Sequence, residues 1–248
     1  MGGTPPRSPP PRTPPGVLIV AEEPLHETRF PGESDEYRSA RDALLRAEIE
    51  LRRAEETVAA KRRELPLGGE APDDYVFDST AGPVTLSQLF GDKDTLFLYS
   101  FMFLPEGDDP LGRPCPSCTS IIDAVDGEAQ HLESVIAVAA AAKVPLPRFT
   151  EHAARRGWSH LRLLSSAGST YNADYHAEAP DGSQWPLATV FVRRDGRIHH
   201  YWSSELFFAS TDPGQHPRHV DLMWPIWKIL DLTPGGRGNF DPQLTYGT

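Results

Sequence analysis

The feature that most constrains this chain is a buried-strand signature joined to a cysteine pair. Thr95 to Phe103 (TLFLYSFMF) is a nearly continuous apolar run rich in aromatics, which predicts a central strand covered on both faces. A polar loop containing three prolines is expected from Leu104 to Pro114. Then comes Pro114-Cys115-Pro116-Ser117-Cys118, which opens a segment running to about Glu133. Its residues Cys118, Ile121, Ile122, Val125, Ala129 and Leu132 fall on one helical face. The order strand, loop, C-x-x-C, helix is far more specific than a bare C-x-x-C.

Position gives the two cysteines different chemistry. Pro116 suits the first helical position, where its missing N–H has no intrahelical partner to lose. Cys115 then falls at the N-cap, where free backbone N–H groups and the helix dipole stabilise an anion. A thiolate there has a depressed pKa and attacks disulfides near neutral pH. Cys118 lies three residues further on and turns toward the core. The expectation is an exposed attacking thiol at Cys115 and a sheltered resolving thiol at Cys118. Structural zinc is the poorer reading, because such a site needs four ligands and the chain has 2 cysteines. His131 stands at a finger-like spacing, but no second histidine follows it three to five residues later. A buried, inert pair is the remaining alternative.

Beyond the cysteines, strand and helix patterns keep alternating. Tyr75 to Phe77 reads as a short strand and Val84 to Phe90 as a turn of helix. Val135 to Ala142 is a second buried strand, Pro147 to Gly157 a helix opened by proline and closed by glycine, and Leu161 to Leu164 a third strand. Thr189 to Arg193 and Arg197 to Trp202 flank Asp195-Gly196, the strongest hairpin signal in the chain. A last helix is expected from about Val220 to Leu230, broken at Pro225. Trp224 and Trp227 on it read as apolar anchors. Consecutive His199 and His200 on a strand point to opposite faces and so do not form one metal site.

The first part of the chain has a different character. Met1 to Gly16 holds seven prolines and almost nothing apolar, so a disordered tail is expected, extending to about residue 33. From Ser34 to Leu65, Tyr37, Ala40, Leu44, Ala47, Leu51, Ala54, Val58 and Leu65 follow an alternating three–four spacing, broken only where Lys61 takes the slot, which predicts one long helix. Asp42–Arg46 and Glu48–Arg52 are the expected ion pairs on its wet side. Its narrow apolar stripe is expected to dock on the following domain (66–240), with a coiled-coil dimer seam as the alternative. Residues 241–248 read as a C-terminal tail.

Composition excludes several partners. Formal net charge is -11, no basic stripe stands out, and nucleic-acid binding is disfavoured. No apolar run approaches the ~18 residues of a membrane span. Val17 to Ala21 is too short for a signal-peptide core, so a cytoplasmic location is expected. No phosphate-binding glycine loop or dinucleotide fingerprint is present, and no cofactor beyond the cysteine pair is expected.

Longer motifs carry a resemblance. ARDALLRAEIELRR and KRRELP within Ala40–Pro66, LYSFMF before CPSC, DAVDGEAQHL (Asp123–Leu132), RRGWSHLRLLSS (Arg155–Ser166), TYNADY (Thr170–Tyr175) and LDLTPGGR (Leu230–Arg237) occur in this order. Over about Glu36 to Phe240 the chain resembles a bacterial thioredoxin-like family catalogued as domain of unknown function 899, whose members are predicted dithiol–disulfide oxidoreductases. The resemblance implies an α/β thioredoxin-like fold, a central mixed sheet flanked by helices, with Cys115 and Cys118 as its site. The family carries no established substrate; the cysteine pair itself leads to the expectation of a protein or small-molecule disulfide or thiol as substrate, and the long helix leaves monomer or homodimer open. Two departures stand out. Many thioredoxins carry a buried carboxylate on the strand before the motif, whereas here that strand offers only Thr95, Tyr99 and Ser100. Many also place a cis-proline before the next strand, facing the dithiol. Pro186 is the candidate substrate-contact residue, although counting back from Asp195-Gly196 puts that slot nearer Leu187 or Ala188. A thiol peroxidase of the peroxiredoxin type is the enzymatic alternative, but Asp108 and Gly112 stand where its Pro-x-x-x-Thr-x-x-Cys pattern needs proline and threonine. A non-catalytic thioredoxin-fold scaffold is the alternative from another class.

Overall fold

The computed structural model describes residues 25–71, 75–107 and 109–247. The chain divides into two compact units, Met1–Arg63 and Glu64–Thr248. The expected disordered segment Met1 to Gly16 lies outside the described residues.

In the first unit, helix α1 spans Asp35–Arg63. Ser34 Oγ accepts the Tyr37 N–H at 3.1 Å and caps its start. Asp35 and Glu36 occupy the first turn and Lys61, Arg62 and Arg63 the last, as the helix dipole favours. Asp42 pairs with Arg38 at 3.1 Å, Glu48 with Arg41 at 2.9 Å, and Arg52 with Glu56 at 3.7 Å. The expected partner of Arg52, Glu48, is thus taken from the preceding turns. Tyr37, Leu44, Leu51 and Val58 recur at every seventh position and are all exposed.

The second unit is built on one seven-stranded sheet. Its elements, in chain order, are β1 (Val76–Ser79), β2 (Gly82–Thr85), α2 (Leu86–Leu89), β3 (Thr95–Phe101), β4 (Phe103–Glu106), β5 (Asp109–Pro114), α3 (Pro116–Glu133), β6 (Ala137–Ala142), α4 (Leu146–Arg156), β7 (Arg162–Ser165), α5 (Tyr171–Asp174), β8 (Leu187–Arg194), β9 (Arg197–Ser203) and α6 (Pro225–Leu230). The strand order is β2-β1-β7-β6-β3-β8-β9. Strands β3, β6 and β7 are parallel, and β8, β9, β1 and β2 join antiparallel. This is the thioredoxin-like α/β arrangement that the sequence implied.

Period-two alternation sorts the core into two clusters. Leu96 and Leu98 of β3 pack with Phe77, Leu86, Leu89, Leu164 and Phe191. Tyr99 and Phe101 pack with Cys118, Ile121, Ile122 and Phe149. The all-buried β6 (AVAAAA) splits the same way, Ala139 and Ala141 to one cluster and Ala140 and Ala142 to the other. Helix α3 buries Cys118, Ile121, Ile122, Val125 and Ala129, while Leu132, in its last turn, is exposed.

Local signals placed most boundaries. Gly157 closes α4 in the left-handed conformation (φ 78), with the Trp158 N–H returning to Ala153 O at 3.0 Å. Asp195 and Gly196 both adopt positive φ (52 and 76) and turn β8 into β9. Pro225 opens α6 and separates it from the 3-10 turn Asp221–Met223.

One segment differs from expectation. The loop expected from Leu104 to Pro114 is a two-stranded hairpin, β4–β5, with Phe103 opposite Pro114 and Leu104 opposite Arg113. Gly107 (φ 56) and Gly112 (φ 57) supply the left-handed backbone that its turn and bulge require. The polar, proline-rich composition concealed that pairing. Nor does packing stop at Phe240. Arg156 donates to Leu244 O at 3.1 Å, and Tyr246 stacks on Phe240. The expected tail boundary therefore falls inside packed chain. Among the described residues no helix is long and apolar enough to cross a membrane.

Candidate functional site

The hairpin returns the chain to the end of β3, and the Cys115 N–H donates to Met102 O at 3.1 Å. Cys115 occupies the N-cap of α3 in an extended conformation (φ -66, ψ 125), with Pro116 in the first helical position, as expected. Its Sγ accepts the Cys118 backbone N–H at 3.5 Å. Its carbonyl accepts the Thr119 N–H and the Thr119 hydroxyl, both at 2.9 Å. Since that hydroxyl donates to Cys115, its oxygen is left to accept from His152 Nε2–H at 3.0 Å. Burial holds His152 neutral, its pKa lowered to about 4 with help from the Arg155 and Arg156 charges.

The two thiols are held in different states. A hydrogen bond from the Cys118 thiol is the largest influence on Cys115 and lowers its pKa to about 7 against the opposing effect of burial. The backbone N–H groups of Cys118 and Ser117 and the Ser117 hydroxyl act in the same direction. Cys118 is raised well above the ordinary thiol range, first by burial, then by its hydrogen bond to Cys115 and by the Cys115 charge. Tyr99 opposes this, because its hydroxyl donates to Cys118 Sγ at 3.4 Å. Burial and the adjoining sulfurs keep that phenol protonated. Tyr99 is thus the polar group that the strand supplies in place of a carboxylate. The sequence displayed it, but which face of β3 would meet α3 was not legible there.

Exposure is where expectation fails. Cys115 is 4% exposed and Cys118 0%, so the cysteine expected to be exposed is buried. The cause is chain that follows β9. Val220 and Trp224 join both cysteines in one buried cluster, and the Trp224 indole N–H donates to Ser120 Oγ on α3 at 2.9 Å. These elements line a partly open cavity of about 520 Å³ with both cysteines.

Pro186 directly precedes β8 and lines this cavity with the cysteines. Its neighbours hold it there. Gln184 accepts the Phe103 N–H at 3.1 Å, and the Trp185 N–H donates to Ala177 O at 2.9 Å. The peptide bonds of the described residues are all trans, that of Pro186 included. Trp185, Phe207, Trp227 and Phe240 complete an aromatic wall. Trp224 and Trp227 do anchor the last helix, but they also face the dithiol, which spacing on one helix does not reveal. No cluster of three or more histidine, cysteine, aspartate or glutamate side chains among the described residues is arranged to hold a metal.

Comparison with known proteins adds the following. The family described as "Bacterial protein of unknown function (DUF899)" matches residues 27–246. No curated protein matches the sequence significantly. Among solved structures, peroxidoxin BcpB from Mycobacterium tuberculosis is 19% identical, with a TM-score of 0.39 over 64% of this chain and 94% of that one. The Plasmodium falciparum antioxidant protein (1-Cys peroxiredoxin) is 12% identical, with a TM-score of 0.44 over 66% of this chain and 99% of that one. A candidate thiol:disulfide interchange protein, DsbE, from Chlorobium tepidum is 14% identical, with a TM-score of 0.37 over 56% of this chain and 84% of that one.

Proposed function

We propose that this chain, which belongs to the bacterial family of unknown function DUF899, is a thiol–disulfide oxidoreductase whose redox centre is Cys115 and Cys118. The observation that supports the reading is the asymmetry of the pair. Cys115 sits at a helix N-cap with its pKa lowered to about 7, so that about half of it is thiolate at neutral pH, and burial pushes the adjoining Cys118 thiol up. In the reducing direction, the Cys115 thiolate attacks a substrate disulfide and one thiolate leaves. Cys118 then gives up its proton and attacks the Cys115 sulfur. The second substrate thiol is released and a Cys115–Cys118 disulfide remains.

Trapping tests this directly. A Cys118→Ser variant accumulates mixed disulfides through Cys115, whereas Cys115→Ser accumulates few. In the reduced protein, iodoacetamide modifies Cys115 with a rate that is half-maximal near pH 7, and Cys118 stays unmodified there. A thiol peroxidase would instead consume hydrogen peroxide and pass through a sulfenic acid at Cys115. Equal, slow alkylation of both residues, with no disulfide formed under mild oxidant, would favour the scaffold reading.

A further inference from the structure

The dithiol lies in a cavity that is partly open to solvent. Cys115 is 4% exposed and Cys118 not at all, and both line this cavity of about 520 Å³. That volume lies within the ~300–1,000 Å³ range of small-molecule sites. Trp185, Phe207, Trp224, Trp227 and Phe240 form its walls. Its arginines are matched by carboxylates. Arg237 bonds Asp221 at 2.8 Å and Asp231 at 2.7 Å, and Arg218 lies 3.5 Å from Asp221. The Arg237 guanidinium also covers the Trp227 ring at 5.2 Å. His219, on the same wall, is kept neutral by burial. His216 and Asp241 line the cavity as well, so beside its aromatic surface the lining balances two arginines, Arg218 and Arg237, with two aspartates, Asp221 and Asp241.

Thiol–disulfide exchange requires the target sulfur to reach the attacking thiolate. Cys115 is 4% exposed, which leaves a disulfide on a folded protein little sulfur to meet, and Trp224, which lines the cavity with it, is 7% exposed and tied to α3 through Ser120. A small molecule needs only the cavity. Resting on the dithiol reading above, we propose that the substrate is a low-molecular-weight, uncharged disulfide with aromatic or other apolar substituents, bound among the indoles before Cys115 attacks it. Attack forms a Cys115–substrate S–S bond, and the first substrate thiolate leaves with the electron pair of the broken bond. The Cys118 proton goes to that thiolate, and Cys118 displaces the second. Two electrons pass from the dithiol, and one disulfide becomes two thiols once a solvent proton reaches the second thiolate.

The test uses the full chain, reduced with dithiothreitol and then freed of it. It is mixed with 4,4′-dithiodipyridine (neutral and aromatic), cystine (small and charged) or insulin (a protein disulfide). Each rate is divided by that of N-acetylcysteine with the same disulfide, which removes intrinsic reactivity. The rate with dithiodipyridine saturates as its concentration rises, because binding precedes chemistry. Its normalised rate exceeds those of cystine and insulin by about a hundredfold, the value of burying two aromatic rings. Trp227→Ala lowers the dithiodipyridine rate about tenfold and leaves the cystine rate nearly unchanged. Phe240→Leu, on the same wall, lowers it in the same direction, so loss of fold in one variant leaves a second reading. A rate that stays linear in dithiodipyridine, with insulin reduced as fast after normalisation, overturns binding in the cavity and leaves the dithiol intact. Failure of all three disulfides to oxidise the pair overturns the dithiol reading and this inference with it.

Discussion

Tyr99 on β3 and Asp126 on α3 show how single buried side chains serve different ends. The Tyr99 hydroxyl reaches the buried Cys118 sulfur at 3.4 Å and favours its thiolate. In Tyr99→Phe the Cys118 pKa rises further, and the resolving step slows. A hydrogen bond to a charged group is worth about 1.5 kcal/mol, so the Cys115 mixed disulfide should persist about tenfold longer. Alkylation of Cys115 in the reduced variant should change little, which separates this role from a structural one. Asp126 fastens backbone. It is buried, and its carboxylate accepts the N–H groups of Ser159, His160 and Leu161 at 3.2, 3.0 and 2.8 Å, fastening the turn that leads into β7. Asp126→Ala strands buried donors and should cost about 3 kcal/mol in urea unfolding, with Asp126→Asn losing less.

Among the elements, the β4–β5 hairpin carries the chain from β3 to the cysteine helix, and one residue decides whether it forms. A Cβ at Gly112 would lie 1.6 Å from Leu104 O, against backbone, at a φ of +57. Gly112→Ala should therefore break the hairpin, shift the Cys115 N–H away from Met102 O and abolish the depressed pKa of Cys115. The pH profile of iodoacetamide modification reads that loss. Gly107 takes a similar φ (+56) with nothing near its Cβ, so Gly107→Ala should be milder. Helix α1 poses another question. Leu44 and Leu51 are 52% and 57% exposed, and the expected docking of their stripe stands as a proposal. Burying the remaining half of each leucine is worth about 1 kcal/mol. If docking occurs in solution, Leu44→Asp with Leu51→Asp lowers the melting temperature. If the stripe is instead a dimer seam, the same variant turns a dimer into a monomer.

For the molecule as a whole, buried histidines tie stability to pH. His152 under the cysteine helix and His219 beside the cavity are each held at a pKa of about 4, below the 6.5 of an open chain, chiefly by burial. As pH falls, the unfolded chain takes up these protons first. The two contributions are therefore intact above pH 6.5 and are lost between there and about 4. The melting temperature should fall through that window, and a His152→Gln/His219→Gln variant should fall less steeply. Substrate reduction should weaken in the same direction near pH 7, where Cys115 becomes protonated.

The sequence by itself determined what depends on near neighbours. The continuous apolar run at Thr95–Phe101 marked a strand buried on both faces, Pro116 placed Cys115 at the N-cap, Gly157 ended α4, and Asp195-Gly196 turned β8 into β9. Each of these follows from φ preferences or from the local apolar pattern, which act within a few residues. Tertiary structure alone decided what depends on chain brought from far away. Tyr99 meets Cys118 only because α3 packs on that face of β3. Pro186 meets the dithiol because Gln184 and Trp185 are bonded to Phe103 and Ala177. The burial of Cys115 was misjudged for the same reason. An N-cap cysteine is open to solvent on its own helix, and what covers this one is Trp224 and its neighbours, supplied by a segment more than a hundred residues later. Solvent exposure is set by whatever packs from any distance, and no local pattern around Cys115 encodes that packing.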